Sequence, residues 1–180
     1  MSQMVFKKVH FIGIGGIGMS AIAEILLAQG YKVSGSDVTE SDRIKKMREE
    51  GAEIAISHHP QNIASDVDIV VRSTAIRETN PEYIETKRRG LPLWHRSEML
   101  AYLMQDKKAI CVAGSHGKTT TSSMIALMFE DNLLEPTIVV GGVINELGTN
   151  AKYGKVEWLV AEADESDGSL INFSPWVSIV

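Results

Sequence analysis

Gly114-Ser115-His116-Gly117-Lys118-Thr119-Thr120-Thr121 joins an apolar, strand-like run, Lys108 to Ala113, to a stretch of helical character from Thr120 to about Asp131. A strand, a glycine loop and a Lys-Thr pair opening a helix make a phosphate cradle. The glycines let backbone N–H groups approach phosphate oxygens, and the helix N-terminus adds partial positive charge. Lys118 is placed to reach terminal phosphates and the Thr119 hydroxyl to ligate Mg²⁺, so the stretch points to a nucleoside triphosphate on an α/β fold. The loop is a shortened variant: two residues separate Gly114 from Gly117, where the usual pattern has four. A plain strand-to-helix turn with a chance Lys-Thr is the alternative, and the order of strand, glycines, Lys, hydroxyl and helix argues against it.

The rest of the composition narrows the class. With 180 residues, 44% hydrophobic and 23% charged, the chain is an ordinary globular sequence and not a disordered, collagenous or coiled-coil one. A formal charge of −5 leaves no basic footprint for nucleic acid. Cys111, the one cysteine, sits in the apolar strand before the loop and reads as a small core residue. No apolar run approaches membrane-spanning length and no basic stretch leads a signal segment, which places the expectation in a reducing cytoplasm.

Upstream, Val9 to Gly15 reads as a strand ending in glycines, and Gly16 to about Gln29 as a helix with Ile17, Ala21, Ile25 and Ala28 at helical spacing. Lys32 to Asp37 is a second strand ending in a carboxylate. Gly13-x-Gly15-x-x-Gly18 followed about 19 residues later by Asp37 satisfies the dinucleotide-binding fingerprint in its strand-turn-helix context. A helix over 41–50, strands over 53–57 and 68–73, a helix from Asn80-Pro81 to Arg89, a strand over 91–95 and a helix over 97–104 follow. The polar break at 105–108 divides the chain into 1–106, a Rossmann-like parallel-sheet domain, and 107–180, the opening portion of a P-loop α/β domain. Beyond the break, 137–142 and 157–161 read as strands with a Gly/Asn-rich loop over 141–154 between them. Glu162, Asp164, Glu165 and Asp167 crowd the end of the later strand, where open α/β sheets bind ligands.

Hydride transfer has no use for a triphosphate site, so the two phosphate loops together call for a different ligand in the first. A nucleoside diphosphate conjugate also carries a pyrophosphate and ribose hydroxyls. The residues alone therefore imply one diphosphate nucleotide, one triphosphate, and phosphoryl transfer between them.

His10 to Glu24, Ser34 to Asp37, Arg96 to Leu100, Ala113 to Thr121 and Ala161 to Asp167 resemble the bacterial Mur ligases in content and order, from about Val9 to Val180. Ser115 stands where Thr is more usual there and keeps the hydroxyl. The resemblance is greatest to the branch that joins L-alanine to UDP-N-acetylmuramate, and a related ligase that recycles the murein tripeptide is the nearer rival. It typically has Glu-Tyr-Asp where this chain has Glu165-Ser166-Asp167.

What this resemblance implies is an ATP-dependent amide ligase of peptidoglycan precursor synthesis: ATP phosphorylates the lactyl carboxylate of UDP-N-acetylmuramate, and the L-alanine amine attacks the acyl phosphate. By the same resemblance Gly114, Ser115, His116, Gly117, Lys118, Thr119 and Thr120 hold ATP, and Lys118 and His116 serve the chemistry. Thr119 and Glu162 ligate Mg²⁺. Gly15, Gly16, Ile17, Gly18, Asp37, His58, Ser73, Thr74, Ala75, Ile76 and Arg96 line the UDP-sugar cleft. Asp164, Glu165 and Asp167 read as capping or solvated carboxylates. His59 reads as a turn residue before Pro60, which is also the alternative reading of His58; His10 and His95 read as strand residues satisfied by neighbours, and the three tryptophans as packing residues. Two other classes use some of the pattern: an NAD-dependent oxidoreductase would need only the first loop, and a P-loop regulatory module only the second. Trp176 to Val180 is an apolar strand pattern with nothing after it, which suggests a fragment whose first domain binds UDP-N-acetylmuramate without ligating, and whose open second sheet favours self-association.

Overall fold

The computed structural model describes residues 6–163 and 172–180. The chain divides into two compact units, Met1–Arg96 and Ser97–Val180.

In the first unit, β1 (Lys8–Ile12), β2 (Lys32–Asp37), β3 (Glu53–Ile56), β4 (Ile69–Arg72) and β5 (Leu93–His95) form one parallel sheet in the order β3-β2-β1-β4-β5. Every residue of the central strand β1 is buried, as a strand covered on both faces requires. Helices α1 (Ile17–Ala28), α2 (Asp42–Glu49) and α3 (Pro81–Arg89) connect β1 to β2, β2 to β3 and β4 to β5, while β3 reaches β4 through a single 3-10 turn at Pro60–Asn62. Their ends follow the sequence signals. The Ser41 hydroxyl accepts from Ile44 N–H at the start of α2, and the Asn80 side chain accepts from the N–H groups of Glu82 and Tyr83 at the start of α3. Gly90, at φ 65°, ends α3 in the left-handed conformation that glycine adopts most readily. The chain passes from β1 to β2 and β3 on one side, then returns to β4 on the other side of β1, which creates a switch point between β1 and β4.

The second unit holds α4 (Arg96–Met104) from Ser97 onward, with Asn172 Nδ2 donating to Ser97 Oγ at 3.0 Å. Its sheet runs β10-β6-β9-β7-β8, built from β6 (Lys108–Val112), β7 (Thr137–Ile144), β8 (Thr149–Lys152), β9 (Trp158–Glu162) and β10 (Val177–Ile179). All pairs are parallel except β7 with β8. Helix α5 (Lys118–Asp131) follows β6. Trp158 packs against Trp176 with ring centroids 5.3 Å apart and against Phe129 at 5.2 Å, while in the first unit Trp94 meets Phe6 edge-on at 6.0 Å. Trp94 and Trp158 are packing residues, as expected, whereas Trp176 is 61% exposed and meets the sheet through Trp158.

The segment 141–154 departs from the loop expected of it. Strand β7 continues through Gly141 and Gly142 to Ile144, and β8 returns antiparallel to it. The two glycines are not turn residues. A Cβ on Gly141 would lie 2.8 Å from Glu162 Oε2, and one on Gly142 3.0 Å from Thr119 Cγ2, so they mark a close approach inside a strand. The hairpin turn sits further on and ends at Gly148, φ 65°. Among the described residues no helix is long and apolar enough to cross a membrane.

Gly35 performs a similar service in β2. A Cβ there would lie 2.8 Å from both Phe11 O and Ile14 Cδ1, so its bare backbone makes room for the buried Ile14 of the glycine loop. Gly35→Ala should therefore destabilise the first unit by about 1–3 kcal/mol, the usual range for overpacking. The expected readout is a lower urea midpoint with an unchanged m-value, and an unchanged midpoint would contradict this packing.

Candidate functional site

The carboxyl ends of the parallel strands in the first unit gather the residues that the sequence singled out. The loop after β1 carries Gly13 at φ 78°, and Gly16 is the N-cap of α1 with no side chain capping it. No acidic residue occupies the first turn of α1, where the helix N-terminus carries the partial positive charge that favours an anion. Gly18 faces Arg96 closely: a Cβ there would be 3.2 Å from Arg96 Nη1. Gly15 lies against the end of β2, donating its N–H to Asp37 Oδ2 at 2.8 Å. Asp37 Oδ1 accepts from Val38 N–H at 2.8 Å, so the carboxylate fixes the β1 and β2 loops as well as facing the edge. Ser73, Thr74, Ala75 and Ile76 form the turn after β4, with Ile76 N–H donating to Ser73 O at 3.1 Å. A Cβ on Gly13 would be 3.2 Å from Ile76 Cδ1. Thr74 Oγ1 and His95 Nε2 are 3.1 Å apart. Ile17 is exposed. Gly15, Gly16, Ile17, Gly18, Ser73 to Ile76 and Arg96 thus converge on the switch point between β1 and β4, and Asp37 and His58 extend the edge over β2 and β3.

Several residues of this edge carry no sequence signal. Arg43 on α2 donates through Nη1 to Gly15 O at 3.1 Å, adding a cation beside the loop. More unexpected is Glu82, fully buried in the first turn of α3, where an acid is normally solvated. Its Oε2 accepts from Ser36 Oγ at 2.6 Å and lies 3.3 Å from His10 Nε2. Its Oε1 accepts from His59 N–H at 3.0 Å and Asn62 Nδ2 at 2.6 Å. Burial pushes the Glu82 carboxyl up, but the hydrogen bonds from His10, Ser36 and Asn62 outweigh it and hold the group below the ordinary carboxylate value. His10 is a satisfied strand residue, with Nδ1 3.0 Å from Ser34 Oγ. His59 caps a short turn as expected, its Nδ1 accepting from Gln61 N–H.

In the second unit the loop after β6 carries Gly114 at φ 130° and Gly117 at φ 77°, the latter being the N-cap of α5. Ser115, His116 and Gly117 are exposed. Helix α5 starts at Lys118, earlier than the expected Thr120, because the left-handed Gly117 already turns the chain into the helix. Lys118 Nζ donates to Gly114 O at 2.7 Å, which folds its ammonium over the loop. Thr119 Oγ1 lies 3.1 and 3.0 Å from the two oxygens of Glu162, at the end of the neighbouring strand β9. Glu162 Oε2 also accepts from Gly141 N–H at 2.7 Å. One hydroxyl and one carboxylate converge, which suits a hard cation that takes its other ligands from phosphate and water. Among the described residues no group of three or more His, Cys, Asp or Glu side chains is arranged to hold a metal by itself. Asp164, Glu165, Ser166 and Asp167 lie outside the described residues. Cys111 is buried in β6 and burial pushes its thiol up to about 11, as suits a core residue.

Among families of known proteins, the Mur ligase family, catalytic domain, matches residues 8–108. The UDP-N-acetylmuramate--L-alanine ligases of Geobacter sulfurreducens and Aquifex aeolicus are 56% and 55% identical to the chain over 97% of its length. The chain spans 37% and 38% of the length of those two relatives. Among solved structures, the UDP-N-acetylmuramate-alanine ligase MurC of Thermotoga maritima superposes with a TM-score of 0.83 at 34% identity, over 93% of this chain and 39% of that one. The UDP-N-acetylmuramate:L-alanyl-gamma-D-glutamyl-meso-diaminopimelate ligase of Neisseria meningitides gives 0.86 at 26% identity, over 97% of this chain and 60% of that one. With a family match over more than half of its residues, two α/β units and a glycine-bearing strand-to-helix loop in each, the chain belongs to the Mur ligase family.

Proposed function

We propose that this chain is the nucleotide-handling portion of a cytoplasmic ligase that joins L-alanine to the lactyl carboxylate of UDP-N-acetylmuramate at the expense of ATP. The observation that carries this reading is the pair of phosphate loops, each at the carboxyl edge of its own sheet, in a chain whose alanine-ligase relatives are over half identical to it. Among solved structures the murein-peptide ligase is 26% identical and the alanine ligase 34%, which favours free L-alanine over an L-alanyl peptide as the amine substrate. In this reading residues 1–106 hold the UDP-sugar and residues 107–180 begin the ATP domain.

The chemistry follows from the groups at each edge. The diphosphate sits on the N-terminus of α1 beside Gly15, Gly16, Ile17 and Gly18, with Arg96 supplying the cation. Asp37, His58 and Ser73 to Ile76 line the rest of the UDP-sugar cleft. The triphosphate lies in the Gly114 to Thr120 loop, Lys118 moving from Gly114 O to the β- and γ-phosphates. Thr119 and Glu162 hold Mg²⁺, which when bound neutralises phosphate charge. The lactyl carboxylate attacks the γ-phosphorus and ADP departs; the alanine amine then attacks the acyl carbon and inorganic phosphate departs, leaving an amide. His116, exposed at the tip of the loop, serves the acyl end of this exchange.

Calorimetric titration with UDP-N-acetylmuramate, MgATP and NADH tests the reading directly. The first two are expected to bind and NADH is not; NADH binding without UDP-N-acetylmuramate binding would overturn it. Lys118→Ala removes a charge-assisted contact and should weaken ATP binding on the order of ten- to a hundredfold. UDP-sugar affinity should stay within about twofold, because the two loops stand on separate sheets. Comparable losses for both ligands in a variant with a parental circular dichroism spectrum would contradict the two-site assignment.

Glu162→Gln keeps the size of the side chain and its acceptor for Gly141 N–H but removes the charge that a hard cation seeks. The Mg²⁺ concentration needed for half-maximal ATP binding should rise about tenfold or more, with UDP-sugar affinity unchanged. Identical Mg²⁺ titrations of variant and parent would remove Glu162 from the metal site.

A further inference from the structure

Glu82 lies below the edge that receives the diphosphate nucleotide in the proposed function, on which this inference rests. It is fully buried, yet it is held as an anion by four hydrogen-bonding groups and by its place in the first turn of α3. An ionised carboxylate can only accept, so the Ser36 hydroxyl, 2.6 Å from Oε2, must donate to it. Ser36 Oγ then presents a lone pair to His58 Nδ1, 2.9 Å away. His58 stands just past the end of β3, with its side chain 18% exposed. In the relay Glu82–Ser36–His58 it is the member that reaches the surface. The charged and titratable groups around Glu82 are His10 on β1 and His58 itself, whose Nδ1 is 3.8 Å from Oε1.

We propose that Glu82 is a positioning residue for nucleotide binding: through Ser36 it fixes His58 as the Nδ1–H tautomer, leaving the Nε2 lone pair to accept a hydrogen from the bound nucleoside diphosphate. The polarity of the relay makes the role testable. In Glu82→Gln the amide has one accepting and one donating end. The backbone N–H of His59 can only donate, so the carbonyl oxygen stays on that side and the NH₂ turns toward Ser36. Ser36 then accepts from the amide and donates to His58 Nδ1, which reverses the tautomer and gives Nε2 a hydrogen that opposes a ligand donor.

Long-range proton–nitrogen NMR of the 180-residue chain, at a pH where the ring is neutral, reads the tautomer without ligand. The expected result is Nδ1–H in the parent and Nε2–H in Glu82→Gln. The same tautomer in both overturns the proposal. If Glu82→Gln does not fold, Ser36→Ala reads the same relay: both tautomers should be populated, and retention of pure Nδ1–H overturns it. With UDP-N-acetylmuramate as probe, Glu82→Gln should weaken binding about tenfold in the parent background and less than about twofold in a His58→Ala background. Equal losses in both backgrounds would mean that Glu82 acts on the fold and not through His58. Tautomer reversal in the variant, combined with no UDP-sugar binding by the parent, supports the relay and overturns the proposed substrate.

Discussion

Parallel strands cannot be joined by a tight turn, and this constraint organises both units. Each strand must be followed by a crossover, usually a helix, before the chain can return to the same end of the sheet. Every strand of the first unit therefore delivers its last residues to one edge, and the loops that leave that edge are the loops that must change direction. Where strand order reverses about β1, two neighbouring loops depart to opposite sides and open a crevice. Residues far apart in sequence, such as Gly13 and Ile76 or Gly18 and Arg96, come close there because of topology. In the second unit the same rule brings Thr119, after β6, beside Glu162, at the end of β9.

Glycine then determines how closely the loops can approach. At Gly15, Gly18, Gly35 and Gly141 a methyl group would collide with, or press on, Asp37, Arg96, Ile14 or Glu162 respectively. At Gly13, Gly114 and Gly117 the requirement is conformational, because φ is positive. These two uses of one residue type explain why the two glycine-bearing strand-to-helix loops were legible in the sequence. Their glycines sit at fixed offsets between a strand-like run and a helix-like run, and both the spacing and the flanking periodicity are visible without coordinates. The strands of the first sheet and the capped helices α2 and α3 were legible for the same reason, since apolar runs, Ser41, Asn80-Pro81 and Gly90 are local signals.

What the sequence hid was of two kinds. The strand character of 141–152 was masked because Gly141 and Gly142 look like a turn, and only the carboxylate of Glu162 and the methyl of Thr119, both supplied from other elements, make glycine necessary within a strand. Glu82 was masked because an acid in the first turn of a helix is commonplace and usually solvated. Its burial depends on Ser36, His10, His59 and Asn62, which lie between 20 and 72 residues away in sequence. Pattern reading sees neighbours along the chain; it has no access to a hydrogen-bond network whose members come from β1, β2, α3 and the segment after β3.

The distribution of the indole rings has a practical meaning. Trp94 belongs to the first unit, packed edge-on to Phe6, whereas Trp158 and Trp176 form a close pair in the second. Trp176 immediately precedes β10, which is joined to β6, and is 61% exposed, while Trp158 begins β9 on the other side of β6. The two rings therefore straddle β6 from the strands that flank it. Detachment of the outer strand would pull these coupled chromophores apart without disturbing Trp94, so the protein carries its own optical gauge of whether that strand is seated. Exciton coupling and emission from the Trp158–Trp176 pair report on the second sheet, and Trp94 reports on the first, with no label added.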